Sequence, residues 1–352
     1  MGLTPLELPA TDWLAWLGER GDGQLAAARD RIAELRVAPP GAEAVLRLWN
    51  EATIALRNAG SVAGLLSSVH PHEAVIERAE EVEVQRFTTD LYLDPAVYAA
   101  LASVSADLLD ADAARLQAKV LQSFRRSGVD RDEQVRELVR GLESRLTDLG
   151  QTFSRNIRDG RAETRVPASA LQGLPGDFIE SHPADADGLV AIGTEYPDVI
   201  PVLTFATDPA VRRAVAGTFF NIAWPANDPV LAELLRLRHE LATLLGYADW
   251  ADYDAEVKMI GTGAAIAEFI DDVSAAAQPS GQREIEVLQA RAEAAGESAI
   301  DVSNWRYFHE LIKREQYGVS AADVRRYLDF GKVRDGLLDI TGRLFGLRFA
   351  PI

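Results

Sequence analysis

Residues 228–246 read DPVLAELLRLRHELATLLG, and this stretch decides the class of the fold. Val230, Leu231, Leu234, Leu235, Leu241, Leu244 and Leu245 recur at spacings of three and four, the repeat of one helical face. Asp228 is placed to cap the amino terminus, Pro229 suits the first helical position, and Gly246 suits the stop. The same signals recur along the chain. LDPAVYAAL (93–101) and TDPAVRRAV (207–215) also begin on Asp-Pro. VDRDEQVRELVRGLESRLTDLGQTFSRNI (129–157) opens with a capping box from Asp130 to Glu133 and runs long. Ala, Leu, Arg and Glu fill the intervening stretches, so the expected fold is mainly α.

One segment breaks the helical repeat. From 164 to 205, TRVPASALQGLPGDF, GLVAIG and YPDVIPVLTFA are rich in Pro, Gly and β-branched residues. They predict short strands and turns, with a short helix after Ser169. The expected organisation is a helical domain over 1–163, a strand-and-turn junction over 164–205, and further helices over 206–352. The stretch AAAQPSGQRE (275–284) reads as a flexible loop in an otherwise helical pattern.

Composition narrows the function. Lys and Arg number 36 against 54 Asp and Glu, a net charge of −18. Nucleic acid and anionic membranes repel such a chain, because phosphate contacts need an excess of Lys and Arg. Without cysteine, thiolate chemistry, disulfides and Cys-based metal sites are excluded. MGLTPLELPATDWLAW has neither a basic region followed by an apolar one nor the myristoylation pattern. No apolar run approaches the ~18 residues that span a bilayer. The expectation is a cytoplasmic protein with no membrane partner.

Three motifs approach a zinc-peptidase helix. HELIK (309–313), HEAVI (72–76) and HELAT (239–243) each begin H-E and lack the second His of H-E-x-x-H. Two His at i and i+4 reach one metal from one helix face, and the Glu holds the attacking water. Lys313 in the fifth place has no lone pair to give and repels a cation. No His and no Glu follow Glu315, so a third ligand would fall to Asp335 or Asp339. Pro71 between His70 and His72 marks a helix start rather than a ligand pair. GTGAAI (261–266) is a helix start, capped by Thr262, rather than a dinucleotide fingerprint, because Ile266 replaces the third glycine. The residues thus yield no catalytic or metal-ligating set, and no substrate-binding residue is identified. The acidic runs read as solvated helix faces.

Six local patterns, taken in order, resemble the M3 zinc metallopeptidases, the family of thimet oligopeptidase, neurolysin, oligopeptidase A and peptidyl-dipeptidase Dcp. SVHPHEAVIERAEEVE (68–83) is similar to the family's early HP-acid helix. The helix ending at Phe153, Ser154 and Asn156 resembles its F-[ST]-x-N. LQGLPGDFI (171–179) matches its G-L-P turn, and residues 196–221 its Y-P…P-V-L…R segment. The most specific match is 227–253, where Asn227, Asp228, Arg238, Leu244, Leu245, Gly246, Tyr247 and Ala251 stand in register. Residues 302–349 resemble W-D-W-R-Y-Y through LFG-[IL]-x-F, with Ser303-Asn304 and Tyr327-Leu328 as departures.

The resemblance implies a neurolysin-like multi-helical lobe and the start of a second one. Such lobes enclose a channel for short peptides. In the family the zinc ligands and the catalytic Glu lie C-terminal to the segment that LFGLRF resembles. None has a counterpart in residues 1–352, so none is carried over. The expectation is therefore the N-terminal half of a zinc oligopeptidase. It holds no cofactor of its own, with zinc in a C-terminal catalytic half or partner chain, and short peptides as substrates. The other reading is a stand-alone, non-catalytic helical module that binds peptides or a partner subunit. An exposed apolar surface near 330–352 is the expected mark of a missing half.

Overall fold

The computed structural model describes residues 8–9, 11–37, 41–80, 84–319, 321–325 and 327–350. It is mainly α-helical, with a single two-stranded sheet among the described residues. The chain divides into two compact units, Met1–Thr152 with Leu231–Gly263, and Phe153–Val230 with Ala264–Ile352. The second half of the zinc near miss at His72, Glu73 to Ile76, opens a short helix, and the other two near misses lie wholly within helices.

The first unit begins with an antiparallel-type helix pair, α1 (Trp13–Arg36) and α2 (Ala42–Val69). Apolar residues at helical spacing face each other: Leu25, Ala28, Ile32 and Leu35 from α1, and Leu48, Trp49, Ala52 and Leu56 from α2. Each such large side chain contributes about 1.5–3 kcal/mol by leaving water. Next come α3 (Glu73–Glu80), α4 (Val84–Tyr92), α5 (Pro95–Ala102) and α6 (Ala111–Arg126). Phe124 of α6 is fully buried, its ring 5.6 Å from Trp49 and 4.9 Å from Tyr92. Asp94 caps α5 as its Asp-Pro start predicts, accepting from the N–H groups of Ala96 and Val97.

Helix α7 (Glu133–Asp159) is capped differently from the sequence expectation. Asp132, not Asp130, accepts from Val135 N–H at 2.9 Å. Gly128, at φ +90°, turns the chain, and Arg131 N–H bonds back to its carbonyl, so the helix starts two residues late.

The second unit contains β1 (Thr164–Pro167) and β2 (Leu189–Ile192), antiparallel with Thr164 opposite Ile192, and α8 (Gly176–Ser181) between them. Helix α9 (Tyr196–Phe205) corrects the reading of YPDVIPVLTFA as strand and turn. Val199, Val202, Leu203 and Ala206 are all buried at three- and four-residue spacing. Pro197 sits in the first turn, where its missing N–H costs nothing. Burial of this stripe outweighs β propensity and tolerates Pro201 inside the helix. Helix α10 (Pro209–Phe220) follows, capped by Asp208.

Helix α11 (Asn227–Leu244) contains the opening stretch. It starts at Asn227, so Asp228 lies in its first turn. Its buried stripe is Leu234, Leu237, Leu241 and Leu245, whereas Leu231 and Leu235 are exposed. Gly246, at φ +95°, ends it as expected. After α12 (Trp250–Ala255), α13 (Gly263–Ala294) runs for 32 residues straight through AAAQPSGQRE, with Pro279 inside it rather than in a loop. Helices α14 (Trp305–Tyr317), α15 (Ala321–Arg325) and α16 (Phe330–Phe345) complete the chain. No helix among the described residues is long and apolar enough to cross a membrane.

Candidate functional site

HELIK lies on α14, and its geometry accounts for each polar residue. His309 is exposed, while its neighbour Glu310 is buried. Glu310 lies 3.1 Å from Lys313 Nζ and 2.9 Å from Arg314 Nε, one helical turn on. Lys313 is thus a counter-ion that keeps a buried carboxylate paired. The other near misses are equally plain. His239 is exposed and Glu240 pairs with Arg236 at 2.8 Å. His72 is exposed, and its N–H donates to His70 Nδ1 at 3.2 Å. Asp335 pairs with Arg334 and Asp339 with Arg343 on the exposed α16.

Helix α14 is anchored by an arginine that the sequence does not single out. Arg212 of α10 is fully buried. It donates to the carbonyls of Ala206 at 2.6 Å and Thr207 at 3.1 Å, and it pairs closely with Glu297. Its guanidinium lies 4.0 Å from the ring centre of Tyr307. Asn304 donates to Glu297 at 3.0 Å and to Ala299 O at 2.9 Å, and Ser303 bonds Asp301 at 2.6 Å. Both are buried, so Ser303-Asn304, a departure from the resembled pattern, forms the polar bed in which α14 starts. Arg212 and Glu297 stand 85 residues apart, so no local pattern reveals the pair.

Two other separately placed motifs meet. Asn156 donates to Asn227 Oδ1 at 2.8 Å, and Asn227 donates to Phe153 O at 3.1 Å. The end of α7 is thereby tied to the start of α11. Gly173 of the G-L-P turn, at φ +92°, packs so that an added Cβ would lie 2.3 Å from Phe205 O. Only glycine fits there.

In the first unit, the Gly246-Tyr247 motif is fastened to α6 and α12. Tyr247 donates to Glu256 at 2.5 Å, and Arg126 pairs closely with the same carboxylate. Arg126 also donates to Tyr253 O at 2.6 Å and lies 4.4 Å from that ring centre. Burial, and then the bond to Glu256, push the Tyr247 hydroxyl up to about 12, so it acts as a donor at neutral pH. The Tyr247 hydroxyl and Arg126 together hold Glu256 below the usual carboxylate range. Glu143 of α7 is raised instead, because burial penalises its charge. These clusters position backbone and helices. None pairs a nucleophile with a base.

One exposed surface is apolar. Helix α16 has no buried residue, and Phe330, Val333, Leu337, Ile340 and Leu344 line one face in steps of three and four. Leu347 and Phe349 extend the exposed apolar surface. On α13, Phe269, Ile270, Val273, Ile285 and Val287 are also exposed. Monomeric proteins rarely leave stripes of this size uncovered.

A catalytic zinc needs three converging His, Asp or Glu ligands. No group of three or more such side chains among the described residues is placed to hold a metal ion. The residues present therefore do not fit a zinc site.

Comparison with known proteins gives a consistent picture. Residues 202–352 match the family model for peptidase family M3. Oligopeptidase A of Salmonella typhimurium is 27% identical over 244 residues, covering 64% of this chain and 36% of that protein. A thimet-like oligopeptidase of Dictyostelium discoideum is 25% identical over 324 residues, covering 85% of this chain and 48% of that protein. Saccharolysin of Saccharomyces cerevisiae is 24% identical over 257 residues, covering 69% and 36%. The chain thus spans less than half the length of these relatives. The matched segment contains α10, α14 and α16 and both members of the Arg212–Glu297 pair. Over residues 202–352 the chain is similar to peptidase family M3.

Proposed function

We propose that this chain supplies the amino-terminal, substrate-enclosing share of a cytoplasmic M3 oligopeptidase that hydrolyses short peptides. The zinc ligands belong to a further segment or partner chain that contributes H-E-x-x-H. The observation that carries this reading is the uncovered apolar face of α16, inside the segment matched to the family. A stripe of five large apolar residues in a strongly acidic chain asks for a protein surface, not for water. The names of the relatives, oligopeptidase A and thimet-like oligopeptidase, support the substrate class. Zinc, if held by that other segment, would supply an activated water. The residues of this chain align helices: Glu310 and Arg212 fix α14, and Asn227 fixes the start of α11. The absence of cysteine accords with a reducing compartment.

The test is zinc content and hydrolysis of a quenched fluorescent peptide, for residues 1–352 alone and with the H-E-x-x-H segment added. Alone, the chain is expected to bind no stoichiometric zinc and to turn over nothing. With the segment, one zinc and turnover should appear. One equivalent of zinc with turnover by residues 1–352 would overturn the proposal. Peptide binding that the added segment leaves unchanged would point to the non-catalytic module instead.

A further inference from the structure

The turn after α11 and the link between α6 and α7 border a cavity of about 460 Å³ within the first unit. Its lining contradicts the charge of the whole chain. Arg115, Lys119, Arg125, Arg126 and Arg131 face it, against Asp130 and Glu256. Five cations less two carboxylates leave +3, in a chain of net −18.

Most of this charge is unneutralised. Only Arg126 is committed to a carboxylate, Glu256. Lys119 reaches the Gln122 side-chain oxygen at 3.2 Å, Arg125 reaches the Tyr98 hydroxyl at 3.5 Å, and Arg131 donates to Leu245 O at 2.6 Å. All three acceptors are neutral. Arg115 has no hydrogen-bond or ion-pair partner among the described residues. Like charges gathered around one cavity repel one another, and a bound anion relieves that cost. Other arginines of the chain do meet carboxylates, as Arg212, Arg236 and Arg291 show.

We infer that this cavity binds a small diphosphate-bearing anion, a function separate from peptide hydrolysis and independent of the reading above. The charge argument selects the class. A single carboxylate would leave about two positive charges uncompensated, whereas a diphosphate, with about −1.5 to −2 per terminal phosphate, matches the lining. Guanidinium forks bind phosphate oxygens two at a time, and three arginines besides Arg126 are available. A polynucleotide fits less well, because strands leaving the cavity meet an acidic surface. The diphosphate has two sources, free pyrophosphate or a nucleoside diphosphate.

Titration calorimetry at fixed ionic strength tests the site, with inorganic pyrophosphate, ADP and orthophosphate as probes on residues 1–352. Pyrophosphate or ADP is expected to bind one to one, with orthophosphate at least tenfold weaker. Equal affinities assign the site to free phosphates, and tighter ADP assigns it to a nucleotide. The double variant Arg115→Ala, Lys119→Ala removes exposed groups with no carboxylate partner, so its helical circular dichroism should be unchanged. Its affinity should fall tenfold or more, while Arg213→Ala, an exposed cation in the second unit, should bind as wild type. No saturable heat with millimolar pyrophosphate, or wild-type affinity in the double variant, would overturn the inference.

Discussion

Helix α2 buries Val45, Leu48, Trp49, Ala52, Leu56 and Ala59, whereas α16, with Phe330, Val333, Leu337, Ile340 and Leu344 at the same spacing, buries none. The two helices are written in one grammar. Each has polar residues on one side and an apolar stripe on the other. The difference is the partner: α1 covers α2, and no described residue covers the face of α16. Amphipathic periodicity therefore reports a face that must be covered, and does not say by what. In this chain the covered face builds a core, and the face of α16 stays exposed among the described residues.

The sharpest way to break the contrast is to truncate one residue from each stripe and follow urea unfolding by circular dichroism. Trp49→Ala is expected to cost about 3–5 kcal/mol, because a packed aromatic leaves a cavity. Leu344→Ala should stay within about 0.5 kcal/mol in residues 1–352. Equal losses would mean that α16 is already packed. In a longer chain that covers α16, Leu344→Ala should rise to about 2–5 kcal/mol, which would identify the cover.

Next in size is the buried pair of the second unit. Arg212→Ala should cost about 3–5 kcal/mol, since Glu297 keeps its charge and loses its partner. Adding Glu297→Gln should recover part of that loss in a double-mutant cycle. Additive losses would show that the two residues act separately.

Two carboxylates of the first unit sharpen the comparison through pH. Glu143 is raised by burial, so its favourable contribution is full below the unfolded carboxylate value, about 4.3, and is lost as pH rises through the folded value. Glu143→Gln is therefore expected to stabilise at pH 7, with the gain vanishing toward pH 4. Glu256 is lowered by Tyr247 and Arg126, so its contribution is present above about 4.3 and is lost as pH falls through the folded value. Glu256→Gln should destabilise at pH 7 and converge with wild type in acid. Urea midpoints across pH 3–8 must diverge in opposite directions for the two variants.

A small effect is also expected at Lys313. Arg314 still pairs with Glu310 after Lys313→Met, so the loss should stay below about 1 kcal/mol. A larger loss would mean that Lys313 carries more of the buried charge than Arg314 does.

Local signals in the sequence were reliable where the physics is local. Asp94 and Asp208 cap their helices, and Gly246 stops α11, because each needs only its immediate neighbours. YPDVIPVLTFA was not legible, because burial of Val199, Val202 and Leu203 against distant residues outweighs their strand preference. Asp132 displaced Asp130 as a cap because the turn at Gly128 sets the register. The motifs at Asn156 and Asn227 were each visible, but their meeting was not. The sequence sets Lys313 aside as a zinc ligand, but its pairing with Glu310 depends on the burial of that carboxylate, which periodicity alone does not give.

The bare stripe of α16 also sets how this chain behaves in a crowded tube. A surplus of 18 negative charges surrounds an oily strip. At low ionic strength, mutual repulsion keeps molecules apart. Added salt shortens the reach of that repulsion, to about 10 Å at 0.1 M and about 3 Å at 1 M. The oily attraction is not weakened in the same way. Light scattering should therefore show clusters growing with salt, the reverse of the usual salting-in of an acidic protein, and Leu344→Glu should abolish the trend.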